Sequence, residues 1–222
     1  LKITGLDKGS KLLNIVSLCA NDKTLIIEGD QRLNSDRVLS NIFKPEGLEN
    51  LILNNVKLPT AEILKRYTNL KMISLNNIRF CNIKDFFGGI QNPESLEIIN
   101  VSNTDALKSS IDGISQFQNL KYLNLSNVKN LYINDLNFLM NNHNILKIEI
   151  INNKISVDEL NILLKCKCIK NIDVDIVGTD ENILENCKFQ VIDENQSILT
   201  VLANDLEWIS KKIDLYKIYE IN

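Results

Sequence analysis

Residues 119–131 read NLKYLNLSNVKNL, with leucines at Leu120, Leu123 and Leu125 in an L-x-x-L-x-L pattern and polar residues between them. The pattern returns at Leu48, Leu51 and Leu53, at Leu70, Ile73 and Leu75, at Leu96, Ile99 and Val101, and at Ile145, Ile148 and Ile150. Weaker copies stand at Ile169, Ile172 and Val174, and at Leu25 and Ile27, whose first position is Asp22. The seven copies start 26, 22, 26, 24, 25 and 24 residues apart. So short a unit can bury its apolar face only against the next unit, so a stacked array is the expected fold.

Side chains alternate along a strand, so each L-x-L puts two apolar residues on one face and the middle residue on the other. The segments between the strands have helical spacing. SDRVLSNIF (35–43) begins with Ser35 as a cap and sets Val38, Leu39, Ile42 and Phe43 on one face. TAEILKRY (60–67) has Thr60 as its cap and Ile63, Leu64 and Tyr67 inward, and NIKDFFGGI, LKSSIDGISQF, INDLNFLMNN and SVDELNILLKC fill the same slot later. A strand, a crossover and a parallel strand form a right-handed unit.

In pattern and length the repeats resemble those of the leucine-rich repeat family, over about residues 22–177. The resemblance implies an α/β fold: a right-handed horseshoe solenoid with a concave parallel β-sheet and convex helices. The expected organisation is a single domain, residues 1–222, with a cap at 1–21, about seven repeats at 22–180 and a second cap at 181–222. The family usually has Asn or Cys at position nine of each repeat. Here that position holds Val56, Ile78, Thr104, Val128 and Val177, and only Asn153 keeps the amide. Asparagine has moved one place earlier, to Asn55, Asn77, Asn103, Asn127 and Asn152, where each is expected to bond to its own loop.

Both ends of such an array need covering. SKLLNIVSLCA (10–20) has the spacing of a first helical cap. At the other end KFQVID and SILTVLA read as short strands, and NDLEWISKKIDLYKIY reads as a helix with Leu206, Ile209, Ile213 and Tyr216 in phase and the single tryptophan, Trp208, on it.

Signals for chemistry are sparse. The one histidine, His143, lies in NNHN, and no phosphate-loop, nucleophile-elbow, dinucleotide or HExxH motif occurs. The expectation is no catalytic residue, no metal and no cofactor. Of five cysteines, Cys168 and Cys187 each precede a predicted strand and are the candidate disulfide pair. The net charge is −3, with no basic block, which argues against nucleic acid; no apolar run approaches the roughly 20 residues of a membrane span. Three N-x-S sequons occur, at Asn100, Asn124 and Asn195, and the first two are expected to be strand residues rather than glycan sites.

Positions three, five and seven of each repeat are expected on the concave face. Across the central repeats they supply Asn50, Ile52 and Asn54, then Met72, Ser74 and Asn76, then Ile98, Asn100 and Ser102, then Tyr122, Asn124 and Ser126. The last repeats turn acidic with Glu149, Asp173 and Asp175. An uncharged, curved face with an apolar row suits a protein partner better than a small molecule, which needs an enclosed site. The expected function is therefore a monomeric, non-enzymatic protein-interaction module. The non-Met start and the sequons favour a secreted effector. The odd cysteine count fits the alternative of a cytoplasmic adaptor, and the acidic C-terminal rim fits that of a regulatory or inhibitory subunit of an enzyme complex.

Overall fold

The computed structural model describes residues 1–6, 22–79, 82–105, 110–129, 133–155, 163, 168–169, 171–176, 198–203 and 210–214. Among the described residues ten strands form one sheet whose spatial order is the chain order: β1 (Lys2–Leu6), β2 (Thr24–Gly29), β3 (Asn50–Asn54), β4 (Met72–Asn76), β5 (Ile98–Asn100), β6 (Tyr122–Asn124), β7 (Lys147–Ile155), β8 (Asn171–Ile176), β9 (Ile198–Ala203) and β10 (Ser210–Asp214). Every neighbouring pair from β1 to β9 is parallel. Parallel neighbours in chain order require one crossover per strand, always towards the same edge, and that repetition makes the chain a solenoid. The seven L-x-L segments are β2 to β8. β1 is an eighth parallel strand that no repeat signal marked, and β9 extends the array beyond the seventh copy.

The register is the one the pattern demands. Leu53, Leu75, Val101, Leu125 and Ile150 are fully buried, as are Leu51, Ile73, Ile99, Leu123 and Ile148 two residues earlier, whereas Asn124 is half-buried. Position nine closes the core with Val56, Ile78, Thr104 and Val128, all buried, so apolar packing holds the turn where the family pattern uses an amide. The Thr104 hydroxyl donates to the Val101 carbonyl at 2.7 Å, which removes its polar cost.

The opposite layer is built from short pieces. These are α1 (Ser35–Leu39), α2 (Ala61–Leu64), α3 (Ile83–Phe87) and the 3-10 helices Ser110–Gln116 and Ile133–Asn141, the last two in place of expected α-helices. They bury Leu39, Leu64, Phe87, Phe117 and Leu136 beneath the sheet, with Phe87 and Phe117 edge-to-face at 5.2 Å. Glycine is required where these pieces meet: a Cβ on Gly89 would lie 2.3 Å from the Ala61 carbonyl oxygen, and one on Gly113 would lie 2.6 Å from Lys84 Cα.

Several local expectations are corrected. Asn34, not Ser35, caps α1, accepting from the Asp36 N–H at 3.0 Å; Ser35 is buried and its hydroxyl donates to the Lys57 carbonyl of the next coil. Thr60 stands at the cap position of α2 but its hydroxyl donates to Asp36 at 3.2 Å instead of capping. Phe43 is 57% exposed because α1 ends at Leu39 and the helical phase is lost before it. Ile63 is half-buried. At the far end, residues 210–214 form a strand antiparallel to β9 where a helix was expected. Pairing along five of the six residues of β9 satisfies backbone groups that a helix there would leave open. The expected first cap (10–20), Trp208, Cys187 and Asn195 lie outside the described residues.

Candidate binding face of the sheet

Strand alternation and parallel register together convert one residue per repeat into a continuous row. Position three runs Thr24, Asn50, Met72, Ile98, Tyr122, Lys147 and Asn171 in direct cross-strand pairing. Position five runs Ile26, Ile52, Ser74, Asn100, Asn124, Glu149 and Asp173. At position seven, Glu28, Asn54 and Asn76 pair across β2, β3 and β4, and Ser102 and Ser126 follow beyond the ends of β5 and β6. Of the twelve central residues singled out from sequence, the ten within strands therefore share one face, and Ser102 and Ser126 stand just past it. Ten of the twelve are half-buried, while Ser74 and Ser102 are buried, because a short hydroxyl is shaded by larger neighbours such as Ile52 and Asn100.

The apolar row of Met72, Ile98 and Tyr122 is continuous, with rungs about 4.8 Å apart. Ile26 and Ile52 flank it on the next row. Around them the polar groups are already organised. Asn50 donates to the Thr24 hydroxyl at 2.9 Å. The side-chain oxygens of Asn100 and Asn124 accept from the backbone N–H of Ser102 and Ser126 at 2.9 and 2.8 Å. These two Asn-x-Ser sequences are thus local turns that end β5 and β6. These bonds account for the two asparagines at the ends of β5 and β6.

Tyr122 is tied more tightly than the sequence indicated. Its hydroxyl donates to Glu149 Oε2 at 2.8 Å, and Asn124 Nδ2 donates to the same oxygen at 2.7 Å. Lys147 pairs with the other Glu149 oxygen and stands 5.8 Å over the Tyr122 ring. Partial burial, and next the carboxylate accepting its O–H, push the Tyr122 hydroxyl up to about 12. The aromatic row and the acidic end of the face, separate in the sequence reading, are one network at the boundary between β6 and β7.

Two asparagine systems went unrecognised as inter-coil staples. The position-eight residues Asn55, Asn77, Asn103, Asn127 and Asn152 all have φ between 53° and 61°. This left-handed region is costly for most residues and tolerated by asparagine, which explains the shifted amide. Their side chains bond to the preceding coil rather than to their own loop: Asn55 to the Gly29 carbonyl, Asn77 to Asn55, Asn103 to Asn76 and Asn127 to Asn103, at 2.8 to 3.2 Å. At the other bend Asn69, Asn119 and Asn144 donate to the carbonyls of Glu46, Glu94 and Gln118. Each of the three immediately precedes position one of a repeat, which was the available signal.

Elsewhere, His143 is exposed, and among the described residues no group of three or more His, Cys, Asp or Glu is placed to hold a metal. Cys168 lies 3.0 Å from the Asn142 carbonyl oxygen, and burial raises its thiol pKa. Its proposed bond to Cys187 falls outside the described residues. No helix among the described residues is long and apolar enough to cross a membrane. No protein-family model and no curated protein matches the chain. Among solved structures, it is similar to a crystal structure of an internalin from Listeria monocytogenes, with 14% identity and a TM-score of 0.45, over 81% of this chain and 62% of that one.

Proposed function

We propose that this protein is a non-enzymatic interaction module whose open sheet face binds a protein partner. The observation that carries the reading is the row Met72, Ile98 and Tyr122, an apolar strip in direct register, flanked by neutral amides and hydroxyls and bounded at its Tyr122 end by the Lys147–Glu149 pair. Such a strip gives up water readily, while the surrounding groups make hydrogen bonds without the desolvation cost of charge. The face is broad and unenclosed, which suits a protein surface.

The test is photo-crosslinking from position 98, with position 65 on the opposite layer as control, followed by titration of the captured protein. Tyr122→Ala should weaken its binding by about 1–2 kcal/mol, the scale of an aromatic hot spot, while Lys65→Ala leaves it unchanged. Tyr122→Phe keeps the ring and removes the bond to Glu149, which separates packing from the network. Equal binding by the Tyr122→Ala and Lys65→Ala variants, both folded, overturns the reading.

A second reading rests on the position of Glu149 in the network with Tyr122. In that case a basic partner, such as an enzyme under regulation, docks at the acidic end. Binding would then survive Met72→Ala and be lost on Glu149→Gln.

A further inference from the structure

The two edges of the sheet carry charge differently. At the edge where strands begin, position two reads Lys23, Glu49, Lys71, Glu97 and Lys121. Lys23 and Lys71 both pair with Glu49, at 2.8 and 3.0 Å, and Lys121 pairs with Glu97 at 2.9 Å. Cations and anions alternate there, and each is engaged in an ion pair. At the edge where strands end, position ten reads Lys57, Arg79, Asp105 and Lys129. The backbone holds the last three in a row, since the Asp105 N–H donates to the Ile78 carbonyl, the Lys129 N–H donates to the Thr104 carbonyl, and Asp105 and Lys129 form a parallel bridge. Lys57, Arg79 and Lys129 are exposed, and no ion pair among the described residues engages them. Identical stacking pairs the charges of one edge and leaves the cations of the other without an ion pair, so the stacking itself does not demand the positive row. The cations come from separate repeats, which is why no basic block is visible in the sequence.

Beside this row lies a half-open cleft of about 710 Å³, with Arg79 and Lys129 on its walls and Ile78 and Val128 in its lining. The ladder asparagines 77, 103 and 127 also line it. Each spends one side-chain N–H on the preceding coil and keeps the other. The cleft is thus rich in donors and positive charge, and its complement is an anion rich in acceptors. Asp105 stands between the two cations in the row, and cations set that far apart suit an extended anion better than a compact one such as phosphate. Arg79 and Lys129 are two rungs apart, about 10 Å, a span that about three extended residues cover.

We propose that this cleft is a second binding site, independent of the sheet face, for an acidic extended peptide segment of a protein partner. The probes are fluorescein-labelled hexaglutamate and hexaglutamine, followed by fluorescence anisotropy with the full chain at low ionic strength. Hexaglutamate should bind at least about tenfold tighter than hexaglutamine, and the double reversal Arg79→Glu, Lys129→Glu should weaken it by at least about tenfold. Lys65→Glu, of equal charge change per residue on the opposite layer, should stay within about twofold of the wild type. Circular dichroism verifies the fold of each variant; if the double reversal does not fold, Arg79→Gln and Lys129→Gln replace it. Failure of hexaglutamate to bind, equal binding of hexaglutamine, equal loss in Lys65→Glu, or displacement by inorganic phosphate as effective as by unlabelled hexaglutamate each overturns the proposal.

Discussion

An asparagine at position eight solves two problems at once: it tolerates a left-handed backbone, and its amide reaches the coil before it. The two roles separate by mutation. Asn103→Gly keeps the backbone conformation and loses the ladder bonds; Asn103→Ala loses both. Denaturant unfolding should show the alanine variant as the less stable of the two, by about 1 kcal/mol, the order of the left-handed penalty for a residue with a Cβ. Equal stability would mean that the ladder, not the backbone, selects asparagine. Tyr122 gives a second prediction at this scale. In a spectrophotometric titration, the difference between wild type and Tyr122→Phe should show one tyrosine ionising above the ordinary value of about 10 and up to about 12. The sign follows from linkage. A folded pKa above the unfolded one gives stabilisation that is complete below pH about 10 and lost as pH rises through about 12. Glu149→Gln should lower the midpoint without restoring the ordinary value, because burial is the larger cause.

At the scale of the element, the side chains set where strands stop. β3 and β4 run five residues to Asn54 and Asn76, whereas β5 and β6 stop after three at Asn100 and Asn124. In the short pair the strand-ending asparagine takes the N–H two residues on, bending the chain early. The strands were legible because their period of two and spacing of 22–26 residues are carried by large apolar side chains that have no alternative but burial. The opposite layer was less so. Its pieces are four to nine residues long, too short for propensity to select between α and 3-10 turns, and contacts between coils decide. The ten face residues within strands were legible for the same reason as the strands. The bond between Tyr122 and Glu149 was not, since it joins residues of different repeats. Gly89 and Gly113 mark the inter-coil contacts that short helices need. Gly89→Ala must displace the Ala61 backbone, so a loss of about 1–3 kcal/mol is expected in chemical denaturation, as for other overpacked sites. Gly47→Ala, which meets nothing within 4 Å, serves as the control and should be close to neutral.

For the whole molecule, the repeating unit guarantees a problem at its ends: a parallel array can always take another strand. The chain responds after β9 by turning back. β10 pairs residue for residue with β9, Ser210 with Leu202 through Asp214 with Ile198, and is the edge of the sheet among the described residues. The exchange changes the chemistry of that edge. β9 reads ILTVLA, a sequence suited to pairing with another chain, while β10 reads SKKID, with two adjacent lysines. Lysines on an edge strand oppose strand addition, because pairing would bring their charges against a second chain. Ending the chain after Ala203 should therefore leave β9 as a bare apolar edge. Light scattering behind size exclusion should then show association that grows with concentration, while the full chain stays at one mass. Replacing Lys211 and Lys212 by Thr in the full chain keeps the strand and removes the charge, and should give association weaker than the truncation. A truncated chain that remains monomeric over the same concentrations would show that β10 is not what protects this end, and the pairing of β9 with β8 would have to suffice alone.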